Sequence, residues 1–556
     1  MALQVTLRTA LGLPLAALLL TLAPARQFTP TMVSQPVRPA IGTTATPVKH
    51  LVVIYQENSS FDHYFATYPV ALNPPGEPAF VARPGTPSIN GLSPELIARN
   101  PNASQPFRLD RSQAYTCDQD HAYADEQKAY DHGLVDAFVE NTEGKPRDSR
   151  QSCHTDIAGK YDAVLGYFDG NTVTALWNYA QHFAISDNSF DATFGQSTAG
   201  ALHLAAADNA GALCGDPKMI YGGVPLCLGP GDSPPSSTAS DPPSNGTLGT
   251  LYADADPLWD ICSTKASFSI PTAAFSGRNI GDLLTQAGVT WGWFQGGFSL
   301  GSDGACYSTS HVLEALDRAT GVDPATDANT IQDYVPHHDP FQYIPSTANP
   351  SHLEPASAAM VGTADQANHQ YDLSWFWAAA EGGNLPAVSF LKAPQYQDGH
   401  PGISDALDEQ EFLVETINRL QRLSEWSTTV VVIAWDDSDG WYDHVMPPIL
   451  NHSATPLDTG CGQATDGAPA RCGYGPRLPL LVISPFARGN YVSHNVTDQT
   501  SITRLIEDNW LNGERITPTS FDNIAGSLLD IFDFTQPPNP PLVLDPNTGL
   551  PADGNQ

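Results

Sequence analysis

Residues 428–445, TTVVVIAWDDSDGWYDHV, constrain the fold of this chain more than any other stretch. Residues 430–435 are apolar and mostly β-branched, continuous rather than alternating, which is the pattern of a strand buried on both faces of a parallel sheet. The chain then passes abruptly into Asp436, Asp437, Ser438, Asp439 and Gly440. In an open α/β sheet the ligand crevice lies beyond the carboxyl ends of the strands. Two adjacent carboxylates placed there repel one another unless a cation or hydrogen-bond donors compensate. One reading is a pair of metal ligands, Asp436 and Asp437, with His444 close behind. An equal reading, on this stretch alone, is a polar turn, because Asp-Ser-Asp-Gly is good turn chemistry.

A second buried strand is expected at 51–55, and it also ends in polar residues, Gln56, Glu57 and Asn58. Glu and Asn side chains offer oxygen to a hard cation, although helix or turn capping accounts for Asn58 as simply. Between these strands lies a turn, Gly195-Gln196-Ser197-Thr198, followed by a small-residue helix at 199–207. A serine at such an N-terminus faces free backbone N–H groups and the positive end of the helix dipole, which favour a phosphate and a nucleophilic hydroxyl. The competing reading is that Ser197 or Thr198 is the N-cap. Candidate histidines are His121 near a helix start, His338 beside His337 in a Pro-bounded aromatic loop, His400 in a loop before a helix, and His444.

Elsewhere the pattern alternates. Helices are expected at 124–139 (interrupted at Gly133), 172–182, 280–288, 373–380, 404–423, 500–508 and 523–532, and strands at 183–186, 289–294, 387–391 and within 477–489. Residues 65–111 read as a long surface excursion and 229–250 as a low-complexity loop. This is an α/β chain, and no internal repeat is visible.

The 60 acidic and 25 basic residues give a formal charge of −35. That opposes nucleic-acid binding and docking on anionic membranes through a basic patch, and it implies that an anionic substrate meets locally arranged positive charge. Residues 1–25 carry the marks of a cleaved signal peptide, with Arg8, an apolar run at 11–22 and Ala23-Pro24-Ala25. An exported protein, periplasmic or secreted and without a stable membrane anchor, is therefore expected. Eight cysteines in an exported chain favour disulfides. Local closure gives Cys117–Cys153, Cys214–Cys227, Cys262–Cys306 and Cys461–Cys472.

QENSSFDHYF resembles the ENRSFDHYFG signature of the bacterial phospholipase C / acid phosphatase family. So do FGQSTAGALHL, YVPHHDPFQY, DGHP, AWDDSDGWYDHV and GPRLPLLVISPFARG with DQTSITRLIE downstream, in family order across residues 49–509. The resemblance implies an alkaline phosphatase-like, three-layer α/β/α sandwich around a mostly parallel sheet. It implies one divalent metal ion (Ca, Mg, Mn or Zn) held by Glu57, Asn58, Asp436 and Asp437. Ser197 matches the nucleophile that is phosphorylated and then hydrolysed, and His121, His338, His400 and His444 match histidines that bind phosphate or act as general acid or base. The family turn often reads Gly-Pro-Thr-x-Pro-Asn-Arg; here it is Gly195-Gln196-Ser197-Thr198-Ala199-Gly200-Ala201, so the Asn-Arg pair is missing, which bears on substrate recognition. Asp437 replaces a common Glu and Ala66 the closing Gly.

The expectation is an exported, metal-dependent phosphoesterase: an arm at 26–48, one catalytic domain with long loop insertions at 49–535, and a Pro-rich tail at 536–556. Its substrate is a phosphate monoester or a phospholipid. The absence of a lipid-binding domain after about residue 535 tilts slightly towards a broad phosphatase. The alternative is a non-catalytic binding protein on the same fold. A sulfatase-like esterase is disfavoured, because the turn lacks the Pro and Arg of its formylglycine motif.

Overall fold

The computed structural model describes residues 44–552 apart from segments within 146–158, 215–247, 264–271, 303–329 and 452–470. The segment expected to be a signal peptide and most of the expected N-terminal arm therefore lie outside the described residues, as do residues 229–247 of the low-complexity segment and the side chains of Cys214 and Cys227.

The strand expected at 430–435 forms as β6 (Thr429–Trp435), buried at every position. Its neighbour β1 (His50–Gln56) is buried throughout as well. Around them lies an eight-stranded sheet completed by β2 (Ala184–Ser186), β3 (Trp291–Gln295), β4 (Gln370–Asp372), β5 (Val388–Lys392), β7 (Leu480–Ile483) and β8 (Tyr491–Ser493), in the order β4-β3-β5-β1-β6-β7-β2-β8. Five strands, β4 to β6 in that order, run parallel. Only β7 is reversed, antiparallel to both β6 and β2. Strands apolar on both faces need cover on both faces. One group of helices, α1 (Thr174–His182) and α5 (Ala406–Leu420), packs together. A second group is α2 (Ser197–Ala206), α3 (Ile280–Ala287) and α6 (Thr500–Trp510), with α4 (Leu373–Glu381) against β3 and β4. The result is the three-layer α/β/α sandwich, with a smaller five-stranded sheet built from residues 210–275 beside it.

Two helices differ from expectation. The one expected at 124–139 stops at Tyr130, where Asp131 and His132 turn left-handed (φ 36° and 54°), and a short helix resumes at Phe138–Asn141. The one expected at 523–532 does not form: the segment holds only two 3-10 turns, Phe521–Asn523 and Leu529–Ile531. Gly526 between them packs against the backbone oxygen of Val496, a contact that a continuous helix would disturb. The Pro-rich tail lies along α5, where Asn418 and Gln421 donate side-chain hydrogen bonds to the carbonyls of Leu544 and Leu542. Three disulfides close as expected, Cys117–Cys153, Cys262–Cys306 and Cys461–Cys472.

Candidate active site

Register brings the polar strand ends together. In β1 and β6, Gln56 faces Trp435, so Glu57-Asn58 and Asp436-Asp437 leave the sheet side by side. Leu391 of β5 pairs with Ile54, so Lys392 stands beside them at the end of the next strand. All five residues are at most 1% exposed to solvent. Asn58 has φ 54°, a left-handed conformation that Asn tolerates better than most residues. This turn lets its N–H donate to Asp436 Oδ1 at 3.0 Å, and the N–H of Asp437 donates to the same oxygen at 2.9 Å.

Ser197 is the first residue of α2 rather than its cap. Gln196 holds the cap position without a side-chain hydrogen bond to the helix. The Ser197 hydroxyl is thus free of the capping role and donates to Asp437 Oδ2 at 2.8 Å. Glu57 Oε2 lies 3.4 Å and Asn58 Oδ1 3.5 Å from Ser197 Oγ. Thr198 instead spends its N–H and hydroxyl on Asp254 Oδ1, at 3.2 and 3.1 Å. Two features lock α2 over the strand ends. A methyl on Gly200 would collide with the Asp436 backbone oxygen. Glu126 accepts from Gly195 N–H at 2.9 Å and from Ser438 Oγ at 2.6 Å, tying the serine's turn to the acidic turn.

Three of the four candidate histidines reach this group. His121 Nδ1 lies 3.4 Å from Asp439 Oδ1, and its Nε2 lies 4.0 Å from Asp437 Oδ2. His338 Nδ1 is 3.1 Å from Glu57 Oε1. His400 Nε2 is 3.5 Å from Asn58 Nδ2. His444 is held elsewhere: its Nδ1 is 2.6 Å from Asp62 Oδ2, in a buried group with Asp443 and Arg477. None of its described hydrogen bonds or ion pairs reaches Ser197, Glu57 or the two aspartates.

Sequence reasoning passed over Lys392, whose ammonium forms an ion pair with Glu57 Oε1 and lies 3.7 Å from Asp436 Oδ2. A lysine ending an apolar strand in a chain this acidic was the available signal. In the sequence Asp439 offers only turn chemistry; in the structure it accepts from Asn58 Nδ2 at 3.2 Å and from Gln119 N–H at 3.0 Å.

Charge is crowded here. Burial and the neighbouring Asp436 push the Glu57 carboxyl well above its usual range, against the pull of Lys392. Burial alone would raise Asp436 too, but Lys392 and hydrogen bonds from Glu57 and the backbone hold it below its ordinary value. Burial lifts Asp437 to about 6 despite His121. His121 is opposed by burial, but Asp437, Asp439, Asp118 and Asp254 together hold it well above the usual imidazole value. Burial, followed by Lys392 and the neighbouring histidines, keeps His338 well below it. Beside Ser197 opens a cavity of about 370 Å³ lined by Asp118, Asp120, His121, Glu143, Lys145 and Gln196.

The donor set fits a hard divalent cation. Glu57, Asn58 and Asp437 each present an oxygen within 3.5 Å of Ser197 Oγ, Asp436 adjoins them, and none of the four offers sulfur or nitrogen. Among the described residues, two further ligand-type groups, Glu57–His338–Asp398 and Asp118–His121–Asp439, border this site, and two others are compensated differently. Cys262 of the Asp260–Cys262–His352 group is in a disulfide, and Arg477 neutralises the Asp62–Asp443–His444 group.

A family model described as the Phosphoesterase family matches residues 48–511. The chain is 24% identical over 518 residues to the non-hemolytic phospholipase C of Pseudomonas aeruginosa, covering 90% of this chain and 59% of that protein. It is 23% identical over 507 residues to phospholipase C A of Mycobacterium tuberculosis, covering 89% and 79%. A shorter match, 31% over 137 residues, is to the non-specific phospholipase C6 of Arabidopsis thaliana, covering 22% and 25%. The chain thus spans 59% and 63% of two of its phospholipase C relatives, those of Pseudomonas aeruginosa and Burkholderia pseudomallei.

Proposed function

The chain belongs to the phosphoesterase family, and from that premise we propose that it is an exported hydrolase of phosphate esters that works through a phosphorylated Ser197. The observation that carries this reading is the Ser197 hydroxyl, freed from helix capping, donating to Asp437 and surrounded by the oxygens of Glu57 and Asn58.

Glu57, Asn58, Asp436 and Asp437 would hold one divalent cation, and a hard ion suits their oxygens best. Such an ion would supply Lewis-acid stabilisation of the charge on the phosphoryl group. Asp437 Oδ2, which accepts the Ser197 hydroxyl's hydrogen bond at 2.8 Å, is placed to take its proton. Ser197 Oγ then forms the bond to phosphorus while the bond to the leaving oxygen breaks. The position of Ser197 on the first turn of α2 sets the helix dipole to favour the incoming phosphate. His121, held protonated by the carboxylates around it, gives its proton to the departing oxygen. It then takes one from the water that hydrolyses the Ser197 ester, a phosphoserine when the substrate is a monoester and a serine phosphodiester that still carries the second alcohol when it is a diester. His338 stays neutral and steadies Glu57, and His400 steadies Asn58. Three disulfides support an oxidising compartment and hence export.

Within the class, a phospholipid diester is the favoured substrate. The relatives are named phospholipases C. The test is turnover of a chromogenic phosphate monoester and a chromogenic phosphocholine diester by wild type and Ser197→Ala. Loss of at least about 10³-fold in the variant, with the fold intact, is expected. Activity on the diester alone or on both selects the phospholipase reading, and activity on the monoester alone selects the phosphatase. Undiminished turnover by Ser197→Ala sinks the nucleophile assignment, and no turnover by wild type returns the binding-protein alternative.

A further inference from the structure

Glu57 divides its two oxygens between different tasks. Oε2 faces the Ser197 hydroxyl at 3.4 Å. Oε1 is gripped from two sides, by the Lys392 ammonium and by His338 Nδ1 at 3.1 Å. Lys392 also lies 3.7 Å from Asp436 Oδ2 and donates to the Gln56 carbonyl at 3.5 Å. Its side chain is 1% exposed. Among the described residues it is the one lysine or arginine whose ion pairs reach Glu57 or Asp436.

Burying an ammonium is costly unless it meets opposite charge, so its place at the end of β5 answers to those carboxylates. We propose that Lys392 is a positioning residue and the built-in counter-ion of the oxygen cluster. It fixes Glu57 so that Oε2 points at the serine, keeps the four-donor site assembled before a divalent cation arrives, and limits how tightly that cation binds. The inference rests on the metal reading above. Its logic is competitive: a monovalent and a divalent cation on one carboxylate repel each other in a poorly screened interior. Removing the ammonium leaves the empty site with uncompensated buried charge and the loaded site relieved of that repulsion. By linkage, the variant's apo form loses stability and its cation affinity rises.

The experiment uses the full chain, stripped with chelator, as wild type, Lys392→Met and the double variant Lys392→Met/Glu57→Gln. Melting temperature and calorimetric titration with Mn²⁺ are the readouts. The apo Lys392→Met protein is expected to melt several degrees below apo wild type, with saturating Mn²⁺ restoring most of the loss. Its Mn²⁺ dissociation constant should fall at least tenfold, and the double variant should recover part of the apo melting temperature by neutralising one of the two carboxylates that Lys392 faces. Should Lys392→Met fold only with Mn²⁺ present, the proposal holds in its extreme form. Unchanged or weaker Mn²⁺ binding by Lys392→Met overturns the proposal, and so does an equal melting loss with and without Mn²⁺. Failure of both variants to fold under any condition overturns it too, since that marks Lys392 as a packing residue only. Wild type that binds no Mn²⁺ removes the metal reading itself, a result distinguishable from every variant outcome.

Discussion

At the residue scale, the serine and the imidazole beside it should be separable by leaving group. Ser197 acts whatever the alcohol, whereas His121 matters most when the departing oxygen needs a proton. His121→Asn should therefore lower kcat by about 10²- to 10⁴-fold on an alkyl phosphodiester, in line with general-acid contributions. On a nitrophenyl ester the loss should be far smaller. Parallel kinetics on the two esters check this, and equal losses on both would move the general acid to another residue. The imidazole sits against Asp437 and Asp439 in the cavity wall, which is where a departing group would emerge. His444 lies in the Asp62–Arg477 group, and His444→Asn should leave turnover within a few fold.

At the element scale, the site is a matter of register. One step of slippage between β1 and β6 would part Glu57-Asn58 from Asp436-Asp437, but both strands are buried on both faces and paired residue for residue. The helix that carries the serine is pinned by Gly200 against the Asp436 carbonyl. Gly200→Ala would force α2 away from the strand ends; a destabilisation of about 1–3 kcal/mol is expected from such overpacking. Activity should fall by more than the fraction unfolded, measurable by denaturation and turnover on the same preparation. This contact also gives a physical reason for a small residue in the turn that departs from the family pattern. Long apolar strands and their polar ends were legible in the sequence because a continuous β-branched run ending in Asp-Asp or Glu-Asn has few other uses. The helices expected at 124–139 and 523–532 are not legible in local pattern, because left-handed residues and close backbone contacts decide where such helices stop, and these are tertiary facts. Lys392 escaped notice for a related reason: its role depends on which strand lies beside β1, and that order is not written in local pattern.

At the scale of the whole molecule, the excess of acid extends into the interior. Burial pushes Glu126 and Glu409 each to about 8 and Asp498 to about 7, despite hydrogen bonds that act the other way. None of the three is among the cation's four donors. Their folded values stand above those of an unfolded chain, near 4, so the folded state holds protons that the unfolded state has lost. The stability they contribute is fully present below the unfolded range and is lost as pH rises through about 7 to 8. Melting temperature should accordingly decline between pH 5 and pH 8.5, and Glu126→Gln should flatten part of the slope. A melting temperature that climbs over that interval would contradict these assignments. Among the described residues no helix is long and apolar enough to cross a membrane.

The central claim is that Ser197 carries the phosphoryl group during turnover. Its most direct test is acid quenching of the enzyme in the steady state with a fast-leaving phosphate ester, followed by peptide mass spectrometry. With a monoester the peptide containing Ser197 should carry one phosphoryl group, with a diester that group plus its retained alcohol, localised to Ser197 and absent from Ser197→Ala. A phosphoryl group on Thr198 or a histidine, or turnover with no phosphorylated peptide at any quench time, would contradict it.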